Sequence, residues 1–329
     1  MASLAEIRAK LQAQENGGGN NTGGGDNAIY PFWNMSEGSN STLRFLPDAD
    51  ENNPYFWKER LMIRLPFNGI KGQDSKQTIV QVPCMEMYGE ACPVLAEVRT
   101  WFKDSSLEDM GRKYWKKKSY IFQGFVREDG LNEDSSPENS IRRFIIGPQI
   151  FQLIKSALMD PDLEELPTDY QRGLDFRMTK TTKGGYADYS TSKWARKESA
   201  LTNEELKAIE THGLHNLADF LPKKPSETEL SVIKAMFEAS VDGEAYDPDK
   251  FGAYFRPSGM SAPAGAPAMS VPQAQPKPEP VNTDSTDDVP FDSAEPKSTT
   301  TVETKEAPSG ESNKKAEDIL AMIRSRQKS

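Results

Sequence analysis

Two segments of the chain place aromatic rings next to basic side chains. They read GRKYWKKKSYIFQGF over residues 111–125 and RMTKTTKGGYADYSTSKWARK over residues 177–197. The bases of an unpaired nucleic-acid strand stack on aromatic rings while its phosphates need nearby cations, and each stacked base contributes roughly 1–3 kcal/mol. Both segments meet these two requirements, so they predict a surface for single-stranded nucleic acid.

The candidate contact residues on this surface are the cations and rings of the two segments together with two arginines from the intervening chain. Neighbouring side chains of a strand point to opposite faces, so some of these rings must belong to the core. Tyr186 and Tyr189 follow a Gly-Gly pair in a polar stretch, which favours exposure. The full set is Arg112, Lys113, Trp115, Lys116, Lys117, Lys118, Tyr120, Arg142, Arg143, Arg177, Lys180, Lys183, Tyr186, Tyr189, Lys193 and Trp194.

The net charge of -10 opposes binding to a polyanion, but the charges are unevenly distributed. Five of the seven residues from Arg112 to Lys118 are basic, and residues 172–197 hold seven basic residues against two acidic ones. Residues 258–312 hold nine carboxylates against three lysines. The acidic excess is therefore separate from the basic runs, although a charge run is also compatible with a solvated face alone.

No motif of a known catalytic class is present in the sequence. There is no Walker-type phosphate loop, no Rossmann glycine fingerprint and no nucleophile elbow. His212 and His215 fit either metal ligands on one helix face or exposed side chains, and the acid-rich stretch DPDLEELPTD fits a solvated loop. We therefore expect a binding protein that is not an enzyme. The alternatives are a metal-dependent nuclease, which needs carboxylates converging in a cleft, and an RNA-binding scaffold protein.

Short strand-like runs must position the candidate residues. These runs, bounded by Pro, Gly, Asp and Asn, are STLRFLP, FWKERLMIRLP, QTIVQVP, SYIFQGFVRE, IRRFIIG and LDFRMTKT. Helical periodicity occurs in PVLAEVRTWF, in PQIFQLIKSALM and in two parts over residues 204–238. The pattern predicts a mainly β protein with added helices, of the α+β class, whose core spans residues 28–256 and forms a small barrel or sandwich.

Both ends of the chain differ in composition from this core. Residues 1–27 combine a predicted amphipathic helix, with Leu4, Ile7 and Leu11 on one face and Arg8 and Lys10 nearby, with a flexible Gly/Asn linker. Residues 257–329 predict a disordered acidic tail that ends in a short amphipathic helix, KKAEDILAMIRSRQ, suited to binding a partner. No apolar run is long enough to span a bilayer and no secretion signal begins the chain, which predicts an intracellular protein.

In these residues the chain resembles the single-stranded DNA-binding proteins of T-even-type phages. GLDFRMTKTTKGGYADYSTSKW is similar to that family's strand, loop and paired DNA-contacting aromatics, with Tyr186 and Tyr189 at the matching positions. KKKSY resembles the family's basic motif followed by an aromatic, and TLRFLP and IRRFIIGPQIF match in character. The similarity covers roughly residues 3–200 in scattered blocks.

The resemblance implies an OB-type β-barrel with an inserted small subdomain. It also implies cooperative, sequence-nonspecific coating of single-stranded DNA in phage replication, recombination and repair, in the cytoplasm of the infected bacterial host. The acidic tail would bind replication and recombination proteins. The amino-terminal helix would contact the adjacent protomer along DNA through Leu4, Ile7, Arg8, Lys10 and Leu11.

The family's zinc site is incomplete in this sequence. That site uses one His and three Cys, whereas Cys84 and Cys92 match two of the thiols, Leu95 stands in place of the third and no histidine precedes His212. Two thiolates do not complete a tetrahedral zinc site, so we expect no metal and no other cofactor. Packing would hold the loop instead, through Met85, Met87, Tyr88, Val94 and Leu95.

Overall fold

The computed structural model of the protein describes residues 28–73, 76–133, 137–258 and 260. The predicted amino-terminal helix, with its protomer-contact residues Leu4, Ile7, Arg8, Lys10 and Leu11, lies outside these ranges, and so does nearly all of the predicted acidic tail. No helix within them is both long enough and apolar enough to cross a membrane.

The described chain is a mixed α+β structure, which confirms the predicted class. Its strands are β1 (Asn40–Leu46), β2 (Lys58–Phe67), β3 (Thr78–Pro83), β4 (Lys117–Glu128), β5 (Arg142–Ile146), β6 (Leu174–Thr179), β7 (Thr181–Lys183), β8 (Tyr186–Asp188) and β9 (Lys193–Glu198). Its α-helices are α1 (Pro93–Trp101), α2 (Glu108–Tyr114), α3 (Pro148–Leu158), α4 (Asn203–His212), α5 (Glu227–Val241) and α6 (Pro248–Phe251). Short 3-10 helices cover Phe32–Asn34, Met85–Tyr88 and Leu217–Phe220.

The main sheet has seven strands, and its strand pairs are antiparallel. The strand order is β3-β2-β4-β1-β6-β9, with β5 also paired to β4. Residues 117–121 of β4 pair with β2 and residues 123–128 pair with β1, both on the edge opposite to β5. Among the described strands no pairing joins β3 to β9, so this sheet is not a closed barrel.

Two large hydrophobic clusters lie against this sheet. Leu61, Ile63 and Leu65 of β2 pack with α1, α2 and α5 in the first cluster, to which the segment between β3 and β4 contributes. The second cluster contains Phe45 of β1, Phe122 of β4, Phe144 of β5 and Phe176 of β6 together with residues of α3. Strands β1 and β4 approach closely at Gly124, where an added Cβ would lie 2.1 Å from the carbonyl oxygen of Arg44. Any other residue at that position would separate the two strands.

A network of buried charges fastens α4 to the sheet. Arg127 on β4 donates to Asp175 on β6 at 2.8 Å and to Glu205 on α4 at 2.7 Å. Arg44 is fully buried on β1 and lies 3.6 Å from the same Asp175 carboxylate. Burial and the charge of Arg127 lower the pKa of Arg44. Thr202 begins α4 with a capping box to Glu205, so the same carboxylate serves both the helix terminus and the network.

Candidate nucleic-acid interface

The edge of the sheet formed by β6 and β9 carries a basic groove of about 330 Å³. Arg177 on β6 is directly opposite Lys193 on β9 in the register of this antiparallel pair. Arg196 and Trp194 also line the groove. Because Trp194 pairs with the buried Phe176, its ring packs towards the core, 5.1 Å from that ring, and it remains partly exposed. The groove thus combines three cations with part of one indole.

The two carboxylates that line this groove, Asp175 and Glu128, already have partners, and one partner of Glu128 is the groove residue Arg177. Asp175 forms ion pairs with Arg44 and Arg127, neither of which lines the groove. Glu128 accepts a hydrogen bond from Thr42 and lies 3.8 Å from Arg177. Lys193 and Arg196 form no ion pair with any described residue. The groove therefore keeps a positive excess that a bound anion can satisfy.

A two-stranded hairpin, β7–β8, extends from the same ends of β6 and β9. Gly184 and Gly185 form its two-residue turn with φ values of +61° and +83°, the left-handed conformations that such a hairpin turn requires. Lys183 is directly opposite Tyr186 in the register, immediately beside the turn. The Tyr186 side chain is 41% exposed, so the hairpin presents a ring and a cation together to solvent.

Hydrogen bonds to Asp188 hold the base of this hairpin. Its carboxylate accepts hydrogen bonds from the Ser190 hydroxyl and from the Gln149 side-chain amide, each at 2.6 Å. The bond from Ser190 and then that from Gln149 lower the pKa of Asp188. Gln149 belongs to α3, whose apolar residues pack in the second hydrophobic cluster. Its bond to Asp188 therefore connects the base of the hairpin to that helix.

Tyr189, unlike Tyr186, is only 9% exposed. Its ring packs edge-on against Phe32, with ring centroids 5.6 Å apart, and belongs to the second hydrophobic cluster. The two tyrosines that the sequence treats as a pair therefore have different environments. Tyr120 is also buried, with one ring face stacked on Phe151 at a centroid distance of 3.5 Å.

A second basic surface lies where β2 pairs with the beginning of β4. Lys117 is opposite Met62 and Ser119 is opposite Arg60, so both β4 residues share a face with the even-numbered residues of β2, including Arg64. Arg60 and Arg64 are missing from the sequence-based set. The alternation of KERLMIR, which puts Lys58, Arg60 and Arg64 on one face of a strand, is the signal that identifies them.

The two basic surfaces lie on one face of the sheet but are separated along β4. Between them on that face are Gln123, which donates to the carbonyl oxygen of His215, and Phe125, which packs in a small cluster with Leu201 and the apolar residues of α4. The strand register therefore places Gln123 and Phe125 between the two basic surfaces.

Several other predicted contact residues have protein partners of their own. Arg112 is paired with Glu108, Lys116 is paired with Glu86, and Lys180 donates to the carbonyl oxygen of Trp33.

Arg142 is buried against Glu133 and the Ile29 carbonyl, and the guanidinium of Arg143 lies 3.8 Å from the centre of the Phe220 ring. Trp115 is buried in the first hydrophobic cluster, Lys113 is exposed, and Lys118 is half-buried on β4. Contacts of these residues with nucleic acid remain predictions.

Cys84 and Cys92 are both buried free thiols in the first hydrophobic cluster. A hydrogen bond between them, together with burial, raises the pKa of Cys84. The residues expected to hold this loop pack around the thiols: Met85, Val94 and Leu95 are buried there, and Met87 and Tyr88 are partly buried. Across the described ranges, no three His, Cys, Asp or Glu side chains are close enough to hold a metal ion together.

No family model matches the chain, and no curated protein matches it.

Proposed function

We propose that the protein binds single-stranded DNA without sequence preference and is not an enzyme. The observation that carries this proposal is the cross-strand pair of Arg177 and Lys193. Like charges directly opposite each other on antiparallel strands destabilise a sheet. Glu128, 3.8 Å from Arg177, offsets one of these two charges, and a bound anion would offset the other. The exposed ring of Tyr186, beside Lys183, adds a stacking surface at the adjoining hairpin.

Affinity in this proposal comes from phosphate contacts and base stacking. Arginine and lysine neutralise phosphates regardless of sequence, and every base has a face that stacks on an aromatic ring. None of the groove residues requires a particular base edge. A groove of this kind suits coating of a strand more than recognition of a particular sequence.

The resemblance to phage single-stranded DNA-binding proteins extends the proposal to fold and partners. We infer an OB-type arrangement of the sheet, with the segment between β3 and β4 as the inserted subdomain. In this proposal, the amino-terminal residues Leu4, Ile7, Arg8, Lys10 and Leu11 bind the adjacent protomer along DNA. The acidic tail recruits replication and recombination proteins in the infected host.

A competition experiment tests the substrate class. A fluorescent oligothymidylate bound to the full chain is challenged with unlabelled single-stranded DNA, duplex DNA and RNA of equal length. The proposal predicts that single-stranded DNA displaces the probe best. Preferential displacement by duplex or RNA would refute it, and cleavage of the DNA after addition of Mg²⁺ would support a nuclease instead.

A further inference from the structure

The surface where β2 meets β4 contains cations that no described carboxylate neutralises. Arg60 is only 9% exposed, and its sole hydrogen bond to a described residue runs from Nε to the Ser119 hydroxyl oxygen at 3.0 Å. Arg64 lies four residues further along β2 on the same face, is half-buried and forms no ion pair with a described residue. Within the described ranges, Lys117 donates a hydrogen bond only to the carbonyl oxygen of Arg112, at 3.0 Å.

These cations also repel one another. Burial and the nearby charge of Arg64 lower the pKa of Arg60 to about 10. Burial, followed by the charges of Arg64 and Arg112, lowers the pKa of Lys117. Removing a charge from water without a counter-ion is costly, and a like charge beside it adds to that cost.

Two other buried arginines, Arg44 and Arg142, have the partners expected of a structural role. Arg44 donates to the carbonyl oxygens of Asp169 and Ser199 and to the Ser199 hydroxyl, and lies beside Asp175. Arg142 bonds both oxygens of Glu133. Arg60 has a single neutral acceptor among the described residues, so these residues do not compensate its burial as they compensate that of Arg44 and Arg142.

We propose that Arg60, Arg64 and Lys117 form a phosphate-binding site, with the Ser119 hydroxyl as an additional donor. A phosphate oxyanion would replace the missing carboxylates, since guanidinium groups bind phosphate oxygens through paired N–H donors. The site rests on the proposed function for the source of its ligand, which is the backbone of a bound DNA strand. Free phosphate or pyrophosphate has the same chemistry and is separated from the strand by the tests below.

The first test compares the double variant Arg60→Met/Arg64→Met with the wild-type full chain. Lys58→Met is the matched control, because Lys58 lies on the same face of β2 but is 3.6 Å from Asp50. Oligothymidylate is titrated at several NaCl concentrations, and thermal unfolding is followed without ligand. Loss of two phosphate contacts is expected to weaken binding about tenfold or more and to reduce the log–log salt slope by about 1.4. Unfolding should occur at no lower temperature than in wild type, while Lys58→Met keeps wild-type binding.

Unchanged affinity and salt slope in the double variant would overturn the site while leaving the proposed function standing. If the double variant does not fold, Arg64→Met alone, at a half-buried position, serves instead, and its slope should fall by about 0.7. An unchanged slope in that single variant counts equally against the site.

The second test uses inorganic pyrophosphate and thermal unfolding. A rise in the wild-type unfolding temperature that the double variant lacks supports the site with free phosphates as ligands. No rise, combined with weaker oligonucleotide binding by the variant, supports it with the strand as the source. If the wild-type chain binds no DNA, the proposed function fails and the pyrophosphate shift alone decides: a shift confined to wild type supports the site, and equal shifts or none overturn it.

Discussion

Arg177 and Lys193 face each other across β6 and β9, so two like charges occupy one cross-strand position of an antiparallel pair. Such a pair is unfavourable by a few tenths of a kcal/mol to about 1 kcal/mol. Both side chains line the groove beside the β7–β8 hairpin. Removing one of these two positive charges should therefore raise the free energy of unfolding and weaken the binding of DNA.

Lys193→Glu should therefore stabilise the fold while weakening binding to DNA. The variant replaces a cross-strand repulsion by an attraction, which predicts a gain of up to about 1 kcal/mol in the free energy of unfolding. It also removes a phosphate contact and introduces repulsion of the strand. Denaturant unfolding and anisotropy titration measure the two effects.

Arg172→Gln is the control for Lys193→Glu, because ion pairs with Glu165 and Glu198 already neutralise Arg172. We expect its affinity for DNA to stay at the wild-type value. Equal losses of affinity in both variants would show a general effect of net charge and argue against the groove.

Tyr186 and Tyr189 should respond differently to truncation. Tyr186→Ala removes an exposed ring, and the loss of one stacked base predicts a roughly 5- to 150-fold weaker affinity with little change in stability. Tyr189→Ala leaves a cavity beside Phe32 and should lower the free energy of unfolding by about 3 kcal/mol. Tyr186→Phe keeps the ring and should bind as wild type; a Tyr186→Ala protein with undiminished affinity would remove the hairpin from the interface.

Asp188 predicts a pH-dependent stability of the hairpin base. Its pKa in the folded chain lies below the ordinary value of 3.8, so its contribution is fully present above that value and is lost as the pH falls through the lower, folded pKa. The difference in unfolding free energy between wild type and Asp188→Ala should be constant from pH 7 to pH 5 and shrink below about pH 4.

Urea unfolding at a series of pH values measures this difference, with Asp162→Ala as an exposed-carboxylate control. A difference between wild type and Asp188→Ala that persists unchanged at pH 3 would mean that the Asp188 hydrogen bonds do not depend on its charge.

Deletion of residues 1–15 tests the predicted protomer contact. The deletion removes Leu4, Ile7, Arg8, Lys10 and Leu11 and should abolish cooperative clustering on long DNA while sparing affinity for a short oligonucleotide. Electron microscopy or the steepness of the binding isotherm on long strands reports the clustering. Clustering that survives the deletion would assign the contact elsewhere in the chain.

Local sequence patterns predicted the regular elements well. Alternation and turn signals located β1 to β6, and 3.6-residue periodicity located α1, α3, α4 and α5. The first basic segment does not reveal its own structure, because residues 108–114 form α2 and Trp115 is buried in the first hydrophobic cluster. The Gly-Gly turn of the hairpin was visible in the sequence, but its strands are only three residues long.

The composition of the site depended on contacts that sequence spacing does not reveal. Lys116 and Glu86 are 30 residues apart in the chain, and their ion pair forms only because the segment before α1 folds back onto β4. The burial of Tyr189 likewise depends on its contact with Phe32, which is more than 150 residues earlier in the sequence. Arg60 and Arg64 alternate with the apolar residues of β2, so the hydrophobic pattern that predicts the strand does not by itself mark its basic face.

The salt dependence of oligothymidylate binding to the full chain tests the central proposal most directly. For a strand held by several phosphate contacts, log affinity should fall linearly with log salt concentration between 50 and 200 mM, with a slope of about -0.7 for each contact. Removal of the charge at Lys193 should make that slope shallower by about 0.7, the value for one phosphate contact. Binding that is absent, or that stays constant across this salt range, would contradict the proposal.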